Sequence, residues 1–188
     1  MRRQQLCQDM ERIREQNREL GMKSAYDQLT GLLNLRGFTD RAKKICTEER
    51  KQKAYLLYGD LDHLKEINDT WGHAEGNFAI KASADILKNC IRGNDMIARI
   101  GGDEFAIVLV EMTSDLKYTI QEKITAMNQE LSEPTDGLPA VSLSVGVAFS
   151  DRENPGESIF KDADKALYQI KEHGKHGCGF YGEKETEE

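Results

Sequence analysis

The chain has no surplus of positive charge. Against 33 Asp and Glu it carries only 26 Lys and Arg, dispersed along 188 residues, for a net charge of −7. A protein that grips nucleic-acid polymers needs a basic stripe to offset phosphate charge, so this composition argues against that class of partner. It also lacks any apolar run of membrane-spanning length and any segment that reads as a signal peptide. Cysteine is scarce: Cys7, Cys46, Cys90 and Cys178 lie far apart, with no Cys-x-x-Cys and no Cys/His ligand spacing. A reducing, cytoplasmic setting is the expectation, and it holds equally for a piece of a parent protein anchored in a membrane. With 38% hydrophobic residues the chain can build one core of ordinary domain size plus an accessory helix.

The most informative stretch is Arg99-Ile100-Gly101-Gly102-Asp103-Glu104-Phe105. It sets two residues without side chains and two carboxylates between two β-favouring stretches, residues 96–100 and 105–110. This pattern predicts a β-hairpin with the acids at its tip. The glycines would supply the φ > 0 geometry of a tight turn and let a phosphate approach the backbone. A solvated turn has the same composition, so the run alone leaves both readings open.

A second acidic cluster narrows them. Ala54-Tyr55-Leu56-Leu57-Tyr58 is an apolar run of strand length that ends in Gly59-Asp60-Leu61-Asp62. A helix over residues 74–91 separates it from the hairpin, and a helix over about 113–131 and a strand over 140–149 follow. That order, βαββαβ, predicts an α+β, ferredoxin-like fold with an antiparallel central sheet flanked by helices. The first crossover makes its two strands parallel, so the Asp60 end of the strand and the Gly101-Gly102 turn emerge at one edge. Asp60, Asp103 and Glu104 then converge. Their mutual repulsion calls for a cation, and hard oxygen ligands suit Mg²⁺ or Mn²⁺ rather than zinc, with the Leu61 carbonyl as a further ligand. Such a site beside a glycine turn fits two-metal phosphoryl or nucleotidyl transfer.

At these residues the chain resembles the GGDEF-domain diguanylate cyclases, which condense two GTP molecules into cyclic di-GMP. The resemblance covers about residues 27–181. It rests on Asp27-Gln28-Leu29-Thr30-Gly31-Leu32-Leu33-Asn34 with Arg36 and Phe38, on the segment from Asp60 to Thr70 with Gly72-His73, and on Ala163-Asp164-Lys165-Ala166-Leu167-Tyr168 with Lys171. It implies a palm-like nucleotidyl cyclase fold. It further implies two Mg²⁺ or Mn²⁺ per active site on Asp60, the Leu61 carbonyl, Asp103 and Glu104, with Asp103 or Glu104 taking the proton of the attacking ribose hydroxyl. Asn68 matches the guanine-binding residue, and its amide can donate and accept along a purine edge. His73 belongs to the same segment. Gly101 and Gly102 would face the phosphates, Lys171 would meet the terminal ones, and the N–H groups of His63, Leu64 and Lys65, opening a short helix, would cradle them.

Two positions depart from the family pattern. Nine residues after Asn68, where the family usually has an aspartate accepting from guanine, stands Asn77. An amide satisfies only part of guanine's donor edge and suits adenine, so weaker GTP binding or relaxed base choice follows. Lys175 stands where the family commonly has arginine, keeping the charge and losing the bidentate fork. Just upstream of the hairpin, Arg92-Gly93-Asn94-Asp95 carries Arg92 and Asp95 at the spacing of the family's product-binding inhibitory site. A polar helix-to-strand turn capped by Gly93 explains the same residues.

Before the catalytic unit, Leu6, Met10, Ile13, Asn17 and Leu20 recur at alternating spacings of four and three, the seam of a parallel helix pair. The expected division is a signalling and dimerisation helix over 1–24, a catalytic domain over 25–182 and a disordered tail over 183–188. The functional expectation is a metal-dependent homodimeric diguanylate cyclase under product inhibition, controlled by a sensor domain preceding the helix. The alternatives are a cyclic di-GMP receptor with little turnover and a mixed-specificity synthase that accepts ATP through Asn77.

Overall fold

A computed structural model describes residues 25–47, 54–110, 117–133, 140–150, 156, 158–172, 174 and 177–182. The expected helical seam of residues 1–24, the tail of 183–188 and Lys175 lie outside the described residues. In chain order the elements are α1 (Leu35–Thr47), β1 (Ala54–Asp62), α2 (Leu64–Trp71), α3 (His73–Cys90), β2 (Met96–Arg99), β3 (Glu104–Val110), α4 (Lys117–Ser132), β4 (Ser142–Phe149), α5 (Ile159–Glu172) and β5 (Gly177–Phe180).

The sheet has the order β2-β3-β1-β4-β5. Its first four strands are the antiparallel βαββαβ unit, in the arrangement that the strand and helix order predicts. The parallel pairing of β5 with β4 adds an edge to that unit. The single helix expected over 74–91 is preceded by a separate short helix, α2. Gly72, at φ +91°, breaks the two apart, a backbone value that favours glycine. Ahead of α1, the segment 25–34 lies along the sheet edge, where Leu33 bridges Ala98 of β2.

Side chains alternate across the sheet with the period of two that strands impose. One face carries Leu61, Ile97, Phe105, Ile107, Leu109, Leu143, Val145 and Val147. It packs with Ile67 of α2, Ile80 and Leu87 of α3 and Ile120, Ile124 and Met127 of α4 into the larger core. The other face carries Met96, Ala98, Ala106, Val108 and Ala148 against Phe38 of α1 and Ala163 of α5 in a smaller one. Among the described residues no helix is long and apolar enough to cross a membrane.

Candidate active site

The register of β1 against β3 sets Asp60 opposite Glu104 at the end of the ladder. Asp103 follows in the turn, where its carbonyl accepts a 3.0 Å hydrogen bond from the Leu61 N–H. The three acids and Leu61 expected to form the site are therefore carried by two hydrogen-bonded strand ends. The Tyr58 hydroxyl donates to Glu104 Oε1 at 2.9 Å. Burial, together with that bond and the Glu104 charge, pushes the Tyr58 pKa far up and keeps the hydroxyl a donor.

Gly101 and Gly102 do not adopt the φ > 0 expected of them; neither is among the positive-φ glycines. The reason for glycine at 101 is steric instead: a Cβ there would collide with Glu104 Oε2. At Gly102 the space is open. The turn is held from outside by Arg99, whose Nη2 and Nε donate to the Gly102 carbonyl at 2.7 and 3.1 Å. Its Nη1 meets Asp27 Oδ1 at 3.1 Å. Burial pushes the Asp27 carboxyl up, but bonds from the Thr30 hydroxyl and N–H and the Arg99 guanidinium hold it below the ordinary carboxylate value. The segment that precedes α1 is thus tied to the hairpin tip through one guanidinium.

Lys171 Nζ lies 2.6 Å from Asp60 Oδ2, at the acid edge rather than apart from it. Small residues on β4 and β5 let α5 approach closely enough for this contact. A Cβ on Gly146 would strike the Ala163 carbonyl and the Leu167 N–H, and one on Gly179 would crowd Ile170 and the Ala166 carbonyl. Next along the same face, Ser142 and Ser144 donate to the buried carboxylate of Asp62, at 2.7 Å and at 2.9 to 3.0 Å. A buried charge needs such partners. The alternation Ser-x-Ser-x-Gly-x-Ala over 142–148 is the sequence signal for this seat, and Tyr58, two residues before Asp60, is the signal for the Glu104 partner. Neither was among the expected site residues.

The α2–Gly72–α3 turn gathers the residues expected to read the base. Half-buried Asn68 lies against Gly76, where a Cβ would collide with its Oδ1. Asn77 is the next residue, exposed, and one turn beyond the exposed His73 on the same helix. His63, the one non-glycine residue at positive φ among the described residues, caps α2 at φ 66°, with its Nδ1 2.8 Å from Glu66 Oε2. The N–H groups of His63, Leu64 and Lys65 fall at the start of that helix, the end toward which a helix directs its backbone donors. Farther off, Arg92 is exposed, while Asp95 accepts from the N–H groups of Arg92 and Val110 at 2.9 and 3.2 Å. In this arrangement the Asp95 carboxylate serves the turn before β2.

Among the described residues no three Asp, Glu, His or Cys side chains stand together as a ready metal cage. The donor chemistry nonetheless suits a hard cation. Burial pushes the Asp60 carboxyl up, the Lys171 ammonium pulls it back, and the charges of Asp103 and Asp62 push it further. A divalent ion on these oxygens would relieve that repulsion.

Residues 24–177 match the family described as diguanylate cyclase, GGDEF domain. The chain is 33% identical to diguanylate cyclase DgcS of Shewanella oneidensis over 163 residues, which is 86% of this chain and 54% of that protein. It is 36% identical to diguanylate cyclase A of Treponema denticola over 130 residues, 68% of this chain and 35% of that one. The chain therefore spans about half, or less, of the length of these relatives. Among solved structures, the GGDEF domain of DgcB from Caulobacter crescentus in complex with c-di-GMP superposes with a TM-score of 0.75 at 27% identity, over 85% of this chain and 96% of that one. The coiled coil and GGDEF domain of DgcB, also with c-di-GMP, superposes with a TM-score of 0.81 at 26% identity, over 93% and 94%.

Proposed function

The chain belongs to the GGDEF family of diguanylate cyclases, and from that premise we propose that it condenses two GTP molecules into cyclic di-GMP across a homodimer. The observation that carries the proposal is the register pair Asp60 and Glu104, with Asp103 beside them, at the tip of a hairpin whose Gly102 is open. Each protomer binds one GTP, and each ribose 3′ hydroxyl attacks the α-phosphorus of the partner's nucleotide. Each attack releases pyrophosphate and leaves its proton on Asp103 or Glu104. Asp60, the Leu61 carbonyl, Asp103 and Glu104 would hold Mg²⁺ or Mn²⁺, two per site, supplying charge stabilisation to the phosphates. Lys171, already at the edge, meets terminal phosphate, as do the amides opening α2. Lys175 would add a further positive charge.

Asn68, His73 and Asn77 face the base in this reading, supported by the contact of Asn68 with Gly76. Because one domain supplies half a site, residues 1–24 are assigned to a dimerisation helix, controlled by a sensor domain in a longer, cytoplasm-facing parent protein. Arg92 is assigned to product binding; the engagement of Asp95 by the backbone makes Arg92→Ala the cleaner probe. That variant should lose inhibition by added cyclic di-GMP and keep its initial rate.

The test is incubation of the full chain with Mg²⁺ and GTP, ATP or both, with products identified by mass. Cyclic di-GMP from GTP alone, with two pyrophosphates per product, supports the proposal. A cyclic AMP-GMP product would convert it to a mixed-purine synthase. Binding of cyclic di-GMP without any dinucleotide product would make the chain a receptor.

A further inference from the structure

Tyr58 stands two residues before Asp60 on the same face of β1, diagonal to Glu104 across the β1–β3 ladder. Its half-buried ring packs on the smaller core, and its hydroxyl reaches the acid edge. A tyrosine suits that double task because it joins an apolar body to a polar tip. The two oxygens of Glu104 are thereby distinguished. Oε1 accepts from Tyr58, while Oε2 lies over Gly101, where a Cβ would displace it. The glycine tip is where the cyclase reading puts phosphate and cation, so the oxygen not held by Tyr58 lies on the reacting side. The residue before Asp60, Gly59, points to the opposite face against Leu143.

We propose that Tyr58 is a positioning residue that fixes the rotamer of Glu104 so that Oε2 is presented over Gly101 to the divalent cation. The inference rests on the cyclase reading of the site. Partners that orient a ligand's carboxylate typically influence metal affinity or activity by about ten- to a hundredfold. Phenylalanine keeps the ring and its packing and removes only the donor.

The experiment titrates Mn²⁺ by electron paramagnetic resonance into the full chain with 3′-deoxy-GTP, which lacks the attacking hydroxyl, alongside GTP turnover and thermal melting. Tyr58→Phe should raise the Mn²⁺ half-saturation by roughly tenfold or more. Turnover at fixed Mg²⁺ should fall while KM for GTP changes by less than about threefold, since the nucleotide has other contacts. Gly101→Ala, which displaces the same carboxylate oxygen, should show the same metal defect. Combined with Tyr58→Phe it should add little, because both act on one group. Unchanged Mn²⁺ binding in Tyr58→Phe overturns the proposal, even if melting shifts, since a purely structural role predicts that pattern. Fully additive defects in the double variant overturn it too. If the wild-type chain makes no cyclic di-GMP, the cyclase reading fails, and the Mn²⁺ titration still decides the role of Tyr58.

Discussion

Leu143 and Ser144 are neighbours on β4 and belong to two different proteins in effect. Leu143 faces α4 in a layer of Leu, Ile, Val and Phe side chains, while Ser144 faces α5 in a layer of Asp60, Asp62, Ser142, Gly146 and Ala106. Each fully buried aliphatic side chain on the first face stabilises the fold by about 1.5–3 kcal/mol. On the second face a hydrogen bond nets only about 1 kcal/mol, because it replaces one made to water. The period of two thus separates the tasks: one face holds the sheet together, and the other holds carboxylates where a helix can reach them. Glycine at 146 and 179 belongs to the second task, since it trades core volume for the close approach of α5 that brings Lys171 to Asp60.

Variants that strike one face and spare the other break or sharpen this comparison. The largest effect is expected at Asp103→Ala, which should lower cyclic di-GMP formation by orders of magnitude. Its unfolding free energy should stay within about 0.5 kcal/mol of wild type, as for other turn residues near the surface. Product rates and denaturant unfolding on the same sample check both halves. Turnover within a few-fold of wild type in a folded variant would remove the catalytic assignment. Next comes the adjacent pair on β4. Leu143→Ala should destabilise by about 2–5 kcal/mol through a cavity in the larger core. Ser144→Ala should cost about 1–3 kcal/mol, because Asp62 keeps the Ser142 hydroxyl and loses one donor. Urea midpoints that fell more for Ser144→Ala than for Leu143→Ala would reverse the division of labour between the faces.

The acid edge was legible in sequence because it depends on local pattern and one topological rule. A strand ending in Asp60, a helix-length crossover and a Gly-Gly-Asp-Glu turn suffice to bring the acids to one edge. The exchange of φ > 0 for a steric reason at Gly101 was not legible, since it depends on where the Glu104 side chain turns after Tyr58 holds it. Equally hidden was the Arg99 link from the Gly102 carbonyl to Asp27, because Arg99 and Asp27 lie 72 residues apart. Lys171 shows the same limit from the other side. Its place on a helix face could be read, but its contact with Asp60 depends on how deeply α5 sinks over Gly146. Local alternation marks the seat, and only packing gives its depth.

The smallest expected effect concerns the base, at a point that neither face of the sheet supplies. Asn77 sits on α3 beside the Asn68–Gly76 contact, so changing it should leave the sheet, and hence stability and metal affinity, as they are. Guanine presents N1–H and an amino group to this position in the proposed reading. A carboxylate accepts from both, whereas the Asn77 amide accepts from one and sets its own NH₂ against the other. An unmade bond of this kind costs about 1–3 kcal/mol, and the exposure of Asn77 places it at the low end, because water can serve the orphaned donor. Asn77→Asp should therefore lower KM for GTP by roughly fivefold, about 1 kcal/mol, and reduce any use of ATP. Steady-state rates with each nucleotide alone and in competition measure both. If neither the GTP constant nor the ATP-to-GTP ratio moved, residue 77 would not face the base, and base choice would have to be carried by Asn68 and its neighbours on α2.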